Sequence, residues 1–115
     1  MLQPAKHVPP DSQLSAASEL LHKQMASIQS RYGLQMMVSC ARINAIRQVI
    51  DLSGAYMDEP TRERYWERMK PMLEAMIYSE SESNSVNLGV LTAESDRLYE
   101  ISGTACRVIA GAIKV

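Results

Sequence analysis

The stretch from Met36 to Met57, MMVSCARINAIRQVIDLSGAYM, constrains the fold more than any other part of the chain. At helical spacing, Met36, Ile43, Ile46, Ile50 and Met57 fall on one stripe. Val38, Ala41, Ala45, Val49, Leu52 and Tyr56 fall on the adjacent one. Two neighbouring stripes make an apolar face wider than a coiled-coil seam requires. Arg42, Arg47 and Asp51 leave only a narrow polar strip, so the helix is expected to contact at least two partners. A strand is excluded by length, because strands usually run about 4–8 residues and this pattern persists well beyond that.

The segments on either side read as helices that cover this one. Pro4, Pro9 and Pro10 mark residues 1–10 as a flexible Pro-rich arm. Asp11 or Ser12 is placed to cap a helix over about 13–32, where Leu14, Leu21 and Ile28 recur every seven residues. Ser18, Met25 and Tyr32 interleave with them, and Ala17 and Leu20 widen the stripe. The seam phase shifts near Gly33, which predicts a break or a kink there. The central helix should close between Gly54 and Met57. Asp58-Glu59-Pro60 then opens a third helix, since an early Pro loses no hydrogen bond there and acids suit the dipole. Its stripe is Trp66, Met69, Leu73 and Met76, with Tyr65, Met72 and Ile77 alongside. Pro71 predicts a kink.

Ser79 to Ser85, SESESNS, is polar and short of apolar anchors, and reads as an exposed loop within a connection near 79–91. Thr92, followed by Glu94 and Asp96, is the stronger start for the last helix, with Asn84–Val86 the earlier alternative. Leu91, Leu98, Ile101, Ala105, Val108 and Ala112 form its stripe. Gly103 and Gly111 each cost about 1 kcal/mol against Ala inside a helix, so small size is needed there. With Ala105, Ala110 and Ala112 they make a smooth surface that another helix, of the same chain or of a second copy, can approach closely; Leu98, Ile101, Gly103, Ala105 and Gly111 are the candidate self-association residues.

Composition limits the chemistry. The 115 residues make one domain, 11–115 after the arm, able to bury roughly two-thirds of its unfolded surface without staples. Net charge is −1, with no block of Lys and Arg apart from acids, so nucleic acid is not an expected partner. No run of about 18 apolar residues occurs, and MLQPAKHVPP has no apolar core followed by a cleavage-like site. A cytoplasmic location is the default expectation, with Cys40 and Cys106 as reduced, buried thiols.

No HExxH, CxxC, phosphate loop, GxSxG or Rossmann pattern is present, and neither metal nor cofactor is expected. Glu19 and His22 have the ExxH spacing of carboxylate-bridged di-iron bundles, but in one copy where such a site uses two. His7 lies in the arm and carries no such pattern.

The reading is therefore an all-α, antiparallel helical bundle of three to four helices, possibly completed by dimerisation. Its expected function is a non-enzymatic protein–protein interaction module: an adapter, chaperone-like binder or inhibitor. Eight Met and no Phe favour a pliable docking face. Met36, Met37, Met57, Trp66, Met69, Met72 and Met76 are its candidate residues. A small all-α enzyme holding an anionic substrate with Arg42, Arg47 and Arg107 is the alternative. It requires those arginines to converge on one cavity without carboxylate partners. A DNA-binding regulator ranks third, because no basic recognition helix follows a short turn.

Overall fold

The structure, a computed structural model, describes the backbone of residues 10–112 and the side chains of residues 15–103. Four helices follow one another: α1 (Pro10–Tyr32), α2 (Leu34–Gly54), α3 (Glu59–Asn84) and α4 (Leu88–Ala112). No strand occurs among the described residues. The all-α bundle expected from periodicity is what forms.

One residue separates α1 from α2. The Gly33 N–H donates to the Gln29 carbonyl at 2.8 Å and ends α1, while its own carbonyl accepts from Met37 N–H at 3.2 Å and starts α2. At φ 102° and ψ 170° the backbone lies in a region open essentially to Gly alone. A Cβ there would meet nothing within 4 Å, so the restriction is conformational rather than steric.

The α2–α3 turn is built from caps. The α2 helix closes at Gly54, and Asp58 caps α3 by accepting from Thr61 N–H at 2.9 Å. Arg62 reaches back to the end of α2, donating from Nε to the Gly54 carbonyl at 3.1 Å and from Nη2 to the Met57 carbonyl at 2.7 Å. Gly54 is buried, and a Cβ there would touch Arg62 Cγ at 3.4 Å. The hairpin is antiparallel: Gly54 meets Arg62 at one end, and Ser39 meets Glu80 at the other.

The core joins all four helices. Ile28 of α1, Met36, Cys40 and Ile43 of α2, Leu73 of α3, and Leu91 and Leu98 of α4 form one buried cluster. Leu21, Met25, Met37, Met76, Ile77, Val86 and Val90 pack around it. Among the described residues, α2 and α4 each touch the other three helices, whereas α1 and α3 do not touch. The outline is accordingly flat, 57 × 38 × 14 Å, and the radius of gyration is 16.4 Å. A compact chain of this length would give about 13 Å.

Three boundaries differ from expectation. The first helix starts at Pro10, inside the expected arm, so Asp11 and Ser12 are helical residues rather than caps; residues 1–9 lie outside the described part. Ser79–Asn84 is helix, not loop, because tertiary contacts satisfy it. Ser81 is buried and donates to the Val86 carbonyl at 2.7 Å, and Asn84 bonds Ser39 and Glu80. The connection shrinks to residues 85–87, with Ser85 in the left-handed region at φ 54°. The last helix starts at Leu88, where Asn87 Oδ1 accepts from Val90 N–H at 3.0 Å; Thr92 instead donates to the Leu88 carbonyl. The α3 helix continues through Pro71 as one helix rather than two.

Two measurements test these termini. Gly33→Ala should lower the unfolding free energy by about 1–3 kcal/mol in urea titration, the cost of forcing a Cβ-bearing residue into that conformation. The Thr61 hydroxyl, and then its backbone N–H, hold the Asp58 carboxyl below the usual carboxylate range. A lowered folded pKa gives stability that is present above the unfolded pKa and lost as pH falls through the folded one. Asp58→Ala should therefore be less stable than the parent at neutral pH. That gap should close as acid protonates Asp58 below the ordinary Asp pKa, as followed by thermal melts across the acid range.

Candidate functional site

A catalytic arrangement of arginines does not form among the described residues. Arg42 pairs with Glu80 of α3 at 3.4 Å, and Arg47 pairs with Asp96 of α4 at 2.6 Å. They face different neighbours, and each has a carboxylate. The Arg47 guanidinium also lies over the Tyr99 ring, 3.7 Å from its centroid, and the Tyr99 hydroxyl donates to Asp51. These groups join α2 to α4. Arg107 lies outside the described side chains.

The other polar clusters also join helices. Glu94 of α4 receives both Nη atoms of Arg31, at 2.9 and 3.2 Å, the Gln24 amide at 3.2 Å and the Tyr32 hydroxyl at 3.3 Å. The Glu94 bond raises the pKa of Arg31 further. Ser39 donates to Glu80 at 2.8 Å and accepts from Asn84 at 2.9 Å. Asn44 donates to Ser102 at 2.7 Å. Cys40 is fully buried beside Ser95, and burial pushes its thiol pKa up, which makes it an unreactive core group.

Metal chemistry finds no more support. No group of three or more His, Cys, Asp and Glu residues could hold an ion among the described residues. Glu19 pairs with Lys23 at 3.8 Å, and with exposed His22 it borders a shallow groove along α1. No described helix is long and apolar enough to cross a membrane.

The apolar candidates separate into two classes. Met36 is buried in the core, and Met37 and Met76 pack against it from half-buried positions. Met36 is thus occupied within the protomer and cannot meet a partner as expected. The same correction applies to Leu98, which is fully buried between helices and is not a self-association residue. Ile101 and Gly103 are half-buried, and the side chains of Ala105 and Gly111 lie outside the described part.

Met57 and Met69 are half-buried, while Met72 is 63% and Trp66 36% exposed. Trp66 lines a cleft of about 260 Å³ with Tyr65, Ile50, Gly54, Asp51 and Arg62 at the closed end of the α2–α3 hairpin. Two of its polar members are engaged, Asp51 with Tyr99 and Arg62 with the α2 carbonyls. The wall left over is largely apolar.

A further uncovered apolar surface was not among the candidate site residues. On the outer side of α2, Ile46 is 42%, Val49 58% and Leu52 61% exposed, and Tyr56, in the turn beyond Gly54, is 97% exposed. At about 100° per residue, Val49 lies far round the helix from Asn44, which meets α4. By the same count Met72 lies opposite Ser81, which turns toward the α4 side at Val86. Val49 and Met72 therefore lie on the side of the hairpin away from α4. The sequence signal for this was the width of the α2 face; nothing local says which of its stripes is left uncovered.

Compared with protein-family models, with curated proteins and with solved structures, the chain matches none. Function is argued from its own residues.

Substitution separates the two classes. Leu98→Ala should lower stability by about 2–5 kcal/mol, as a buried leucine leaving a cavity does. Met72→Ala should change it by no more than about 0.5 kcal/mol, as exposed sites do. Paired denaturant titrations measure both.

Proposed function

We propose that this chain is a non-enzymatic helical interaction protein. It docks another helix on the outer side of its α2–α3 hairpin. The observation that carries this reading is the uncovered apolar set: Ile46, Val49 and Leu52 on α2, Tyr56 in the turn after it, and Met72 on α3. Monomers seldom show contiguous apolar patches beyond a few hundred Å², and larger ones usually mark association surfaces. Spacing supports a helix as the occupant, because grooves between helices are read by side chains repeating at i, i+3, i+4 and i+7. Met69 and Met72 add pliable thioether surface, which suits a face that adapts to what it meets. The Trp66 cleft offers one deeper recess in which an apolar side chain of the docked helix could anchor.

The paired state of Arg42 and Arg47 removes the motive for the enzymatic alternative, since neither guanidinium lacks a carboxylate. Net charge of −1 likewise gives a DNA-binding reading no support.

The reading is tested inside cells with a photo-crosslinking residue at position 49, 72 or 74. Glu74 is exposed but stands far round α3 from Met72. Adducts of higher mass are expected from positions 49 and 72 and not from 74. Equal labelling at all three, or no adduct at 49 and 72, would overturn the docking surface.

A further inference from the structure

We infer that α3 is a removable cover on α2: it unravels as a unit while α1, α2 and α4 stay packed, and so governs access to the side of α2 that carries Ile43 and Ile50. The inference stands apart from the docking reading above.

Four residues define the covered side. Ser39, Ile43, Ile50 and Gly54 are spaced by four, seven and four along α2, which places them on one side of the helix, and all four are buried. What lies against that side is α3. Ser39 donates to Glu80, Ile50 lines a cleft with Tyr65 and Trp66, and the Gly54 carbonyl accepts from Arg62. The residues that hold α2 to α4 stand on another side: Cys40 beside Ser95, Asn44 on Ser102, Arg47 on Asp96 and Gln48 on the Tyr99 carbonyl. None of these contacts passes through α3.

Opening of α3 therefore leaves most of the core in place. Of the seven residues in the buried cluster, only Leu73 belongs to α3. The other six join α1, α2 and α4, and Gln24 and Arg31 of α1 bond Glu94 of α4. By contrast, α3 buries only Leu73 and Ser81 of its 26 residues. Its own ladder is weakened at Pro71, because a residue without an N–H leaves the Glu67 carbonyl without its helical donor. Segments with few buried apolar groups open at lower free energy than the elements they rest on. Residues 55–58 and 85–87 tether both ends, and connections this short do not let an intact helix swing clear, so α3 opens by unravelling.

Opening changes the surface of α2. Ile46 is already exposed, and at about 100° per residue it lies within about 60° of both Ile43 and Ile50. With α3 unravelled, the outer side holding Val49 and Leu52 and the covered side holding Ile43 and Ile50 become one continuous apolar face. The closed form hides the second half of that face.

Native-state hydrogen exchange on the full chain at low urea concentrations tests the unit. Amides of α3 are expected to exchange at least about tenfold faster than those of α2 and α4, and to share one urea dependence. That dependence should be shallower than the one for global unfolding, because less surface is exposed. Glu80→Ala removes the acceptor for Ser39 and Arg42, and should speed exchange in α3 while leaving α2 and α4 unchanged. Thiol labelling of Ile43→Cys, read peptide by peptide, tests access. Position 43 should label with the opening of α3, and Cys40, on the side that meets α4, only with global unfolding. The wild-type exchange decides the case should Ile43→Cys not fold. Amides of α3 protected as well as those of α2 and α4 overturn the inference. So does exchange in α3 with no urea dependence, which is fraying, or exchange that speeds in all helices together in Glu80→Ala. Labelling of positions 43 and 40 in step overturns it too.

Discussion

The packing of α2 against α4 is the contact on which the other two helices depend. Cys40, Ile43, Leu91 and Leu98 are all fully buried there, and Ser95 and Ser102 keep that face of α4 narrow. Small side chains let two helices approach closely, which multiplies the dispersion contacts each methyl group makes. Polar groups along the same contact fix its register: Asn44 on Ser102, Gln48 on the Tyr99 carbonyl, Arg47 on Asp96. With α1 and α3 never touching, each is stable only through what it buries against this pair. Removing volume from it would therefore loosen all four helices at once.

The same contact makes the molecule flat and α2 one-sided. A helix can bury only the arc its neighbours subtend. On α2, α3 and α4 cover the arc holding Met36, Cys40, Ile43, Ile50 and Gly54. Gly33 turns α1 back within a single residue, which keeps it beside α2 and α4 rather than over the open side. Nothing in a chain of four helices connected so tightly remains to reach the outer stripe from the described part. The open face is thus a consequence of loop length as much as of side-chain choice.

Much of this was legible from spacing. Met36, Ile43 and Ile50, Leu21 and Ile28, Leu73, and Leu91 and Leu98 repeat at helical period, and each lies in or against the core. Gly33 could be read as a break because the heptad phase changes across it. The Asp58-Glu59-Pro60 start was legible because cap chemistry is local. Ser79–Asn84 was not, since a run of Ser and Glu has no apolar anchor. Its helix depends on Ser39 and Val86, far away or beyond the turn. Asn87, not Thr92, caps α4, and the two have similar local credentials. For the candidate site the limit was sharper. Met36 and Met72 look alike in sequence, yet one is core and the other is exposed, because only the order of helix packing decides which stripe is covered.

The unevenness of burial along the hairpin bears on why an outer face of this kind would be kept. Of the residues in α3, only Leu73 and Ser81 are buried, and α3 touches α4 least of all the pairs in contact. Its attachment is strongest at its ends, where Asp58 and Arg62 close one turn and Glu80 with Asn84 holds the other. Between them Trp66 and Met72 remain exposed. A helix that buries so few of its residues opens more readily than the α2–α4 pair. Any species that binds only the folded form shifts that opening equilibrium toward closure by mass action. A helix laid along α2 and α3 would add apolar burial to α3, and its docking would then be coupled to the ordering of α3.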